Sequence, residues 1–152
     1  MFHQLFEVRN SSDKLIHSAN YSNNNVFKRL ITKGNFIACQ GVFLHANFAR
    51  SNLFIEDRGL AGSEDYELWL RIATNTEIVI NPVITSALIE HSERSVVKIN
   101  IDNLIKRKEL MLHYLFSNKL ISSKLLEYKS VLKSGAYSYI SLHLAMSKQG
   151  KK

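Results

Sequence analysis

Residues 62–73 read Gly62-Ser63-Glu64-Asp65-Tyr66-Glu67-Leu68-Trp69-Leu70-Arg71-Ile72-Ala73. A glycine-bearing loop runs here into a helix expected over 64–74. Ser63 stands at the N-cap, and Glu64, Asp65 and Glu67 fall in the first turn, where unpaired amides and the helix dipole favour negative charge. Leu68, Ile72 and the flank of Trp69 make the apolar side. A carboxylate at such a helix mouth can accept backbone N–H bonds, stay ionised at neutral pH and take a proton from a hydroxyl held against it. Acidic residues in a first turn also serve simply as caps.

Upstream, residues 4–9 and 14–21 read as two short strands around the turn-forming cluster Asn10-Ser11-Ser12-Asp13, a hairpin. Tyr21 to Asn25 is a polar loop. Residues 25–33 place Val26, Leu30 and Ile31 on one face of a short helix that Gly34 ends. The apolar run 35–44 is expected to be a buried strand, with Cys39 an inert buried thiol inside it. A short helix over 46–52 and a loop through Gly59 complete the approach to Gly62. Downstream, 77–81 and 83–90 are expected as two strands parted by Pro82, which offers no ladder donor.

Beyond Asp102 the period becomes helical. Leu104, Ile105, Met111, Leu112 and Leu115 share a face, with Lys106, Arg107 and Lys108 away from it. A second helix is expected from Ser122 or Ser123 to Met146, striped by Leu125, Tyr128, Leu132, Tyr139, Leu142 and Met146 and weakened at Gly135. The tail 149–152 is expected to be disordered. The organisation is therefore α/β for 1–97, followed by an α-helical hairpin over 98–152.

Composition narrows the function classes. The chain has 152 residues, 45% hydrophobic and 22% charged, with one cysteine. A disulfide framework and a multi-cysteine zinc site are excluded, and a reducing compartment is the natural setting. The opening MFHQLFEVRN carries charge early and does not read as a signal peptide. The formal net charge of +7 is lopsided. Residues 1–97 hold nine Lys and Arg against ten Asp and Glu, while residues 98–152 hold eleven against three. Such a block is either a solvated helical face or a surface for anionic partners. No helix-turn-helix, zinc-finger or RNP motif accompanies it, so nucleic acid is not an expected partner. His3, His17, His45, His113 and His143 show no paired metal spacing.

Glu64-Asp65-Tyr66-Glu67-Leu68-Trp69-Leu70-Arg71 resembles the acidic Glu-Asp motif of family 2 glycosyltransferases, whose catalytic domain has the GT-A (Rossmann-like) fold. Phe54-Ile55-Glu56 upstream fits the same pattern. So does the strand downstream leading to His91 and then Ser95, and the resemblance spans residues 1–97. It implies the C-terminal, acceptor-binding half of a GT-A domain. Asp65 would be the general base for inverting attack on a nucleotide-sugar, with Glu64 orienting the site. His91 would complete the coordination of a divalent metal, Mn or Mg, on the donor diphosphate. Trp69 would be an acceptor-facing wall or core packing, and Arg71 a substrate contact or a structural ion pair. The family's donor-binding half, with its Asp-x-Asp metal motif, has no counterpart here, since Ser12-Asp13-Lys14 offers one acid. Where relatives commonly carry an Arg pair, Gly-Gly, and an Arg before the His, this chain has His45-Ala46, Asn52-Leu53 and Ile89.

Two functions follow from the resemblance. One is sugar transfer from a nucleotide-sugar to a glycan or lipid-linked acceptor in surface polysaccharide assembly. That protein would be cytoplasmic, with the basic segment resting on the anionic inner face of the membrane. The other is a catalytically inactive or interaction module that retains the motif. Half of a Rossmann-like sheet would also expose a strand edge and invite self-association.

Overall fold

The computed structural model describes residues 1–21, 25–91, 100–117 and 123–149. Ser95, Ser122 and the tail 150–152 lie outside the described residues.

The sheet is built on β1 (Phe2–Asn10). It pairs antiparallel with β2 (Leu15–Ser18) near its C-terminal end, antiparallel with β3 (Val42–Phe43) at its start, and parallel with β4 (Val79–Glu90) along its length. The result is a mixed four-stranded sheet with helices, an α/β architecture. The expected hairpin is present. Asn10 organises its turn, its Oδ1 accepting the amides of Ser12 at 3.0 Å and Lys14 at 2.9 Å. Asp13 adopts φ 62°, the left-handed conformation that short polar residues tolerate.

Helix α1 (Val26–Lys33) follows its expected pattern. Asn25 caps it by accepting from Lys28 N at 2.9 Å, Gly34 closes it at φ 84°, and Val26, Leu30 and Ile31 are buried. Helix α2 (Ala46–Ser51) is short and exposed, and α3 (Glu64–Asn75) carries the acidic motif. Helices α4 (Ile101–Ser117), α5 (Ser123–Leu126) and α6 (Lys129–Gln149) form the basic segment.

Four expectations are corrected. Residues 35–44 are not a strand: only Val42 and Phe43 join the sheet, after a 3-10 turn at Cys39–Gly41. The backbone groups before that turn bond to side chains instead. Ala38 N donates to His3 Nε2 at 3.2 Å, and Ile37 O accepts from Trp69 Nε1 at 3.2 Å. Gly41 then passes so close that a Cβ there would lie 2.5 Å from the carbonyl oxygen of Gln4. An apolar run signals burial, and burial does not by itself choose a ladder. Cys39, accordingly, is exposed rather than buried.

The two strands expected around Pro82 are one. β4 runs through the proline, and the register against β1 shifts between Gln4 and Leu5 and again between Leu5 and Phe6. Those irregularities absorb the missing donor, as bulges do. The second C-terminal helix, expected to be continuous, breaks at Glu127–Tyr128 into α5 and α6. Its buried stripe is Leu125, Leu132, Ala136 and Ile140, whereas Tyr139 beside Ile140 is exposed, as are Leu142 and Met146 beyond it.

The last correction concerns the basic segment. Leu104, Met111, Leu112 and Leu115 are buried as expected, but Arg107 and Lys108 do not point away from the protein. One hydrophobic core joins Leu5, Ile80, Leu30, Leu68 and Ile72 to Met111, Leu115, Leu125 and Leu132, so α4, α5 and α6 pack into the same core as the sheet and α1 and α3. Lys124 lies over Phe27 at 4.5 Å and Lys129 over Phe116 at 5.2 Å, so part of the basic excess serves internal contacts.

Candidate functional site

The loop that delivers the acidic motif is fixed from both sides. Asp57 accepts from Gly59 N at 2.8 Å and from the Tyr114 hydroxyl at 2.8 Å, tying the loop to α4. Arg107 donates to the carbonyl of Ala61 at 2.9 Å. Gly62 then turns at φ 87°, with the Arg107 guanidinium where a side chain would stand. Ser63 is buried and does not cap α3; its hydroxyl accepts from Lys108 Nζ at 3.2 Å. Burial and the neighbouring charge of Arg107 lower the Lys108 pKa to about 8, against a smaller opposing pull from Asp65.

The two carboxylates of the motif diverge. Glu64 turns back and accepts the amides of Gly62 and of Ser63, the latter at 2.9 Å, so it closes the loop in place of the serine. Asp65 faces the other way. Its Oδ1 accepts from Tyr66 N at 2.7 Å and its Oδ2 from Asn35 Nδ2 at 2.9 Å. Burial raises its pKa above the ordinary carboxylate value. The bonds from Asn35 and Tyr66 oppose that rise, and the negative charge of Glu64 adds to it. The sequence suggested a carboxylate kept readily ionised by amides; desolvation outweighs them and makes Asp65 the stronger base.

Asp65 opens into a cleft of about 640 Å³ whose lining includes Phe6, Tyr21, Arg29, Lys33, Phe36 and Gln40. That volume suits a small-molecule site. Cys39 reaches it too, its sulfur 4.0 Å from Asp65 Oδ2. Partial desolvation and the charges of Asp65 and Glu64 push the thiol pKa up to about 11, so it stays protonated and is no nucleophile.

Trp69 is 2% exposed, its ring edge-on to Phe54 and its N–H given to Ile37 O. It does not line the cleft and presents no open wall to a ligand. Arg71 is held by a two-pronged pair to the fully buried Glu67, Nε to Oε1 at 2.9 Å and Nη2 to Oε2 at 3.0 Å, and by Leu53 O at 2.8 Å. Packing and ion pairing account for both residues. His91 follows the end of β4 and is exposed, and it does not line the cleft. Among the described residues no group of three His, Cys, Asp or Glu is disposed to hold a metal. His91 therefore has no such set of partners among the described residues.

Sequence reasoning missed Asn35, Arg29, Tyr21 and Phe36. Asn35 follows directly on the helix-closing Gly34, a polar residue opening an apolar run, and that is the one local signal it gave. The buried His3 was likewise unassigned. Burial lowers its pKa, keeping the ring neutral so that Nε2 can accept the amide of Ala38.

The chain matches no protein-family model, no curated protein and no solved structure at the significance required. No helix among the described residues is long and apolar enough to cross a membrane.

Proposed function

We propose that residues 1–97 are the acceptor-side, catalytic-base half of a GT-A glycosyltransferase of the family 2 kind, with Asp65 as the base. The observation that carries this is Asp65 itself: a desolvated carboxylate with a raised pKa, fixed by Asn35 at a helix mouth and open to a cleft of small-ligand size. An acceptor hydroxyl against the carboxylate would lose its proton as the oxygen attacks the anomeric carbon, and the nucleotide would leave on the opposite face. Glu64 supports this indirectly, by shaping the loop and raising the basicity of its neighbour. The substrates are a nucleotide-sugar and a glycan or lipid-linked acceptor in surface polysaccharide assembly. The family's Mn or Mg belongs to the donor side, and the described residues include no group of three His, Cys, Asp or Glu disposed to hold it. The setting proposed is cytoplasmic, at the inner face of the membrane.

The test is sugar transfer by the protein as expressed from its own gene, followed as nucleotide release with glycan and lipid-linked acceptors. Asp65→Asn is expected to reduce the rate by about 10²–10⁴-fold, the usual size of a general-base contribution, with the fold intact by circular dichroism. Undiminished transfer by that variant would sink the assignment.

One observation favours a second reading, an interaction module without transfer. Trp69 and Arg71, half of the motif's signature, are held by packing and by Glu67, so that part persists for structural reasons alone. Absence of transfer with Asp65 intact selects this reading.

A further inference from the structure

The cleft carries charge that the proposed base does not use. Arg29 projects from α1 so that its guanidinium lies 4.5 Å from the Tyr21 ring centre and 5.0 Å from that of Phe36, while those rings meet edge-on at 4.9 Å. Two aromatic walls thus orient the cation. Among the described residues its buried Nε has no hydrogen-bond partner, and neither Arg29 nor Lys33 forms an ion pair. A guanidinium held this way presents a planar fork of donors suited to two oxygens of one anion. Lys33, exposed one helical turn further on, lines the same cleft.

The positive and negative poles are set by consecutive residues. Asn35 holds Asp65 and Phe36 holds Arg29, so the Asn35–Phe36 peptide fixes their relation. Two cations and one carboxylate share this lining. A neutral saccharide would satisfy Asp65 and leave both cations without a counter-charge among the described residues.

We propose that this cleft is an oxyanion subsite, in which Arg29 and Lys33 hold a phosphate or carboxylate on the same molecule whose hydroxyl meets Asp65. The acceptor would then be an acidic or phosphorylated sugar rather than a neutral one. The hydroxyl's role rests on the reading of Asp65 given above, but the charge preference does not.

Equilibrium binding to the full chain, by calorimetry or by chemical-shift titration at low salt, tests it with glucose 6-phosphate, glucuronate, glucose and uridine diphosphate. Glucose 6-phosphate, glucuronate or both should bind at least about tenfold more tightly than glucose, the scale of one charge-assisted hydrogen bond. The one preferred names the oxyanion. Arg29→Met should abolish the preference and Lys33→Met should reduce it; Lys33 is exposed, so the second variant guards against misfolding of the first. Equal binding of glucose, no binding of any probe, or a preference that survives both folded variants overturns the proposal. Arg29-dependent binding of uridine diphosphate with neither acidic sugar bound also overturns it, assigning the cations to a donor nucleotide. A protein inactive in transfer that keeps the preference refutes the proposed function and leaves the subsite standing.

Discussion

Asp65 sits between opposing influences, and each can be removed separately. Glu64→Gln takes away a neighbouring negative charge that raises the Asp65 pKa, while Asn35→Ala takes away a bond that lowers it. A titration of the Asp65 carboxyl by carbon NMR is therefore expected to move to lower pH in the first variant and to higher pH in the second. Because the base acts unprotonated, the rising limb of any transfer rate should move the same way. A shift to higher pH in the first variant or to lower pH in the second would mean that the Glu64 charge or the Asn35 bond does not act on Asp65 in this way. Gly62 offers a second test. Its φ of 87° disfavours any side chain, and a Cβ would lie 2.7 Å from Arg107 Nη1. Gly62→Ala is expected to cost about 1–2 kcal/mol in urea unfolding. Arg107→Ala should relieve only the contact and not the backbone part.

At the scale of elements, legibility followed whether an apolar face meets a partner. Helices α1, α3 and α4 were readable because Val26 and Leu30, Leu68 and Ile72, and Met111 and Leu115 each recur at helical spacing and all enter the core. The hairpin was readable because Asn10 and Asp13 state its turn locally. Residues 35–44 were misread because their hydrogen bonds go to His3 and Trp69, partners more than thirty residues distant that no local pattern reveals. The same distance hid the site: Asp65 was visible in its motif, but Asn35 and Arg29 become part of it only after folding. The stripe of α6 was overread because Tyr139, Leu142 and Met146 keep an apolar period that the buried face, through Ala136 and Ile140, does not follow. Gly135, inside α6, has nothing within 4 Å of where a Cβ would go. Gly135→Ala should therefore stabilise the protein by about 0.5–1 kcal/mol, read from the midpoint of chemical unfolding.

For the whole molecule, the unfinished feature is the sheet. Among the described residues β4 pairs with β1 alone, and its Val83 and Ile84 are 56% and 42% exposed. An unpaired strand bearing apolar side chains favours association between copies. Sedimentation velocity is expected to show concentration-dependent self-association that the double change Val83→Lys and Ile84→Lys suppresses. Both positions lie on the surface, so thermal stability should change by no more than about 0.5 kcal/mol for each.

The grip of α4 on the approach to the acidic motif has a consequence for how this chain can be recombined. Tyr114, Arg107 and Lys108 belong to the basic segment, yet the loop they hold belongs to the motif. Sequence that looks like a detachable appendage is the scaffolding of the loop that leads into the acidic motif. A chimaera joined at residue 97 would inherit the letters Glu-Asp without the contacts that hold the loop before them. Any transplant of this motif has to carry its helix with it.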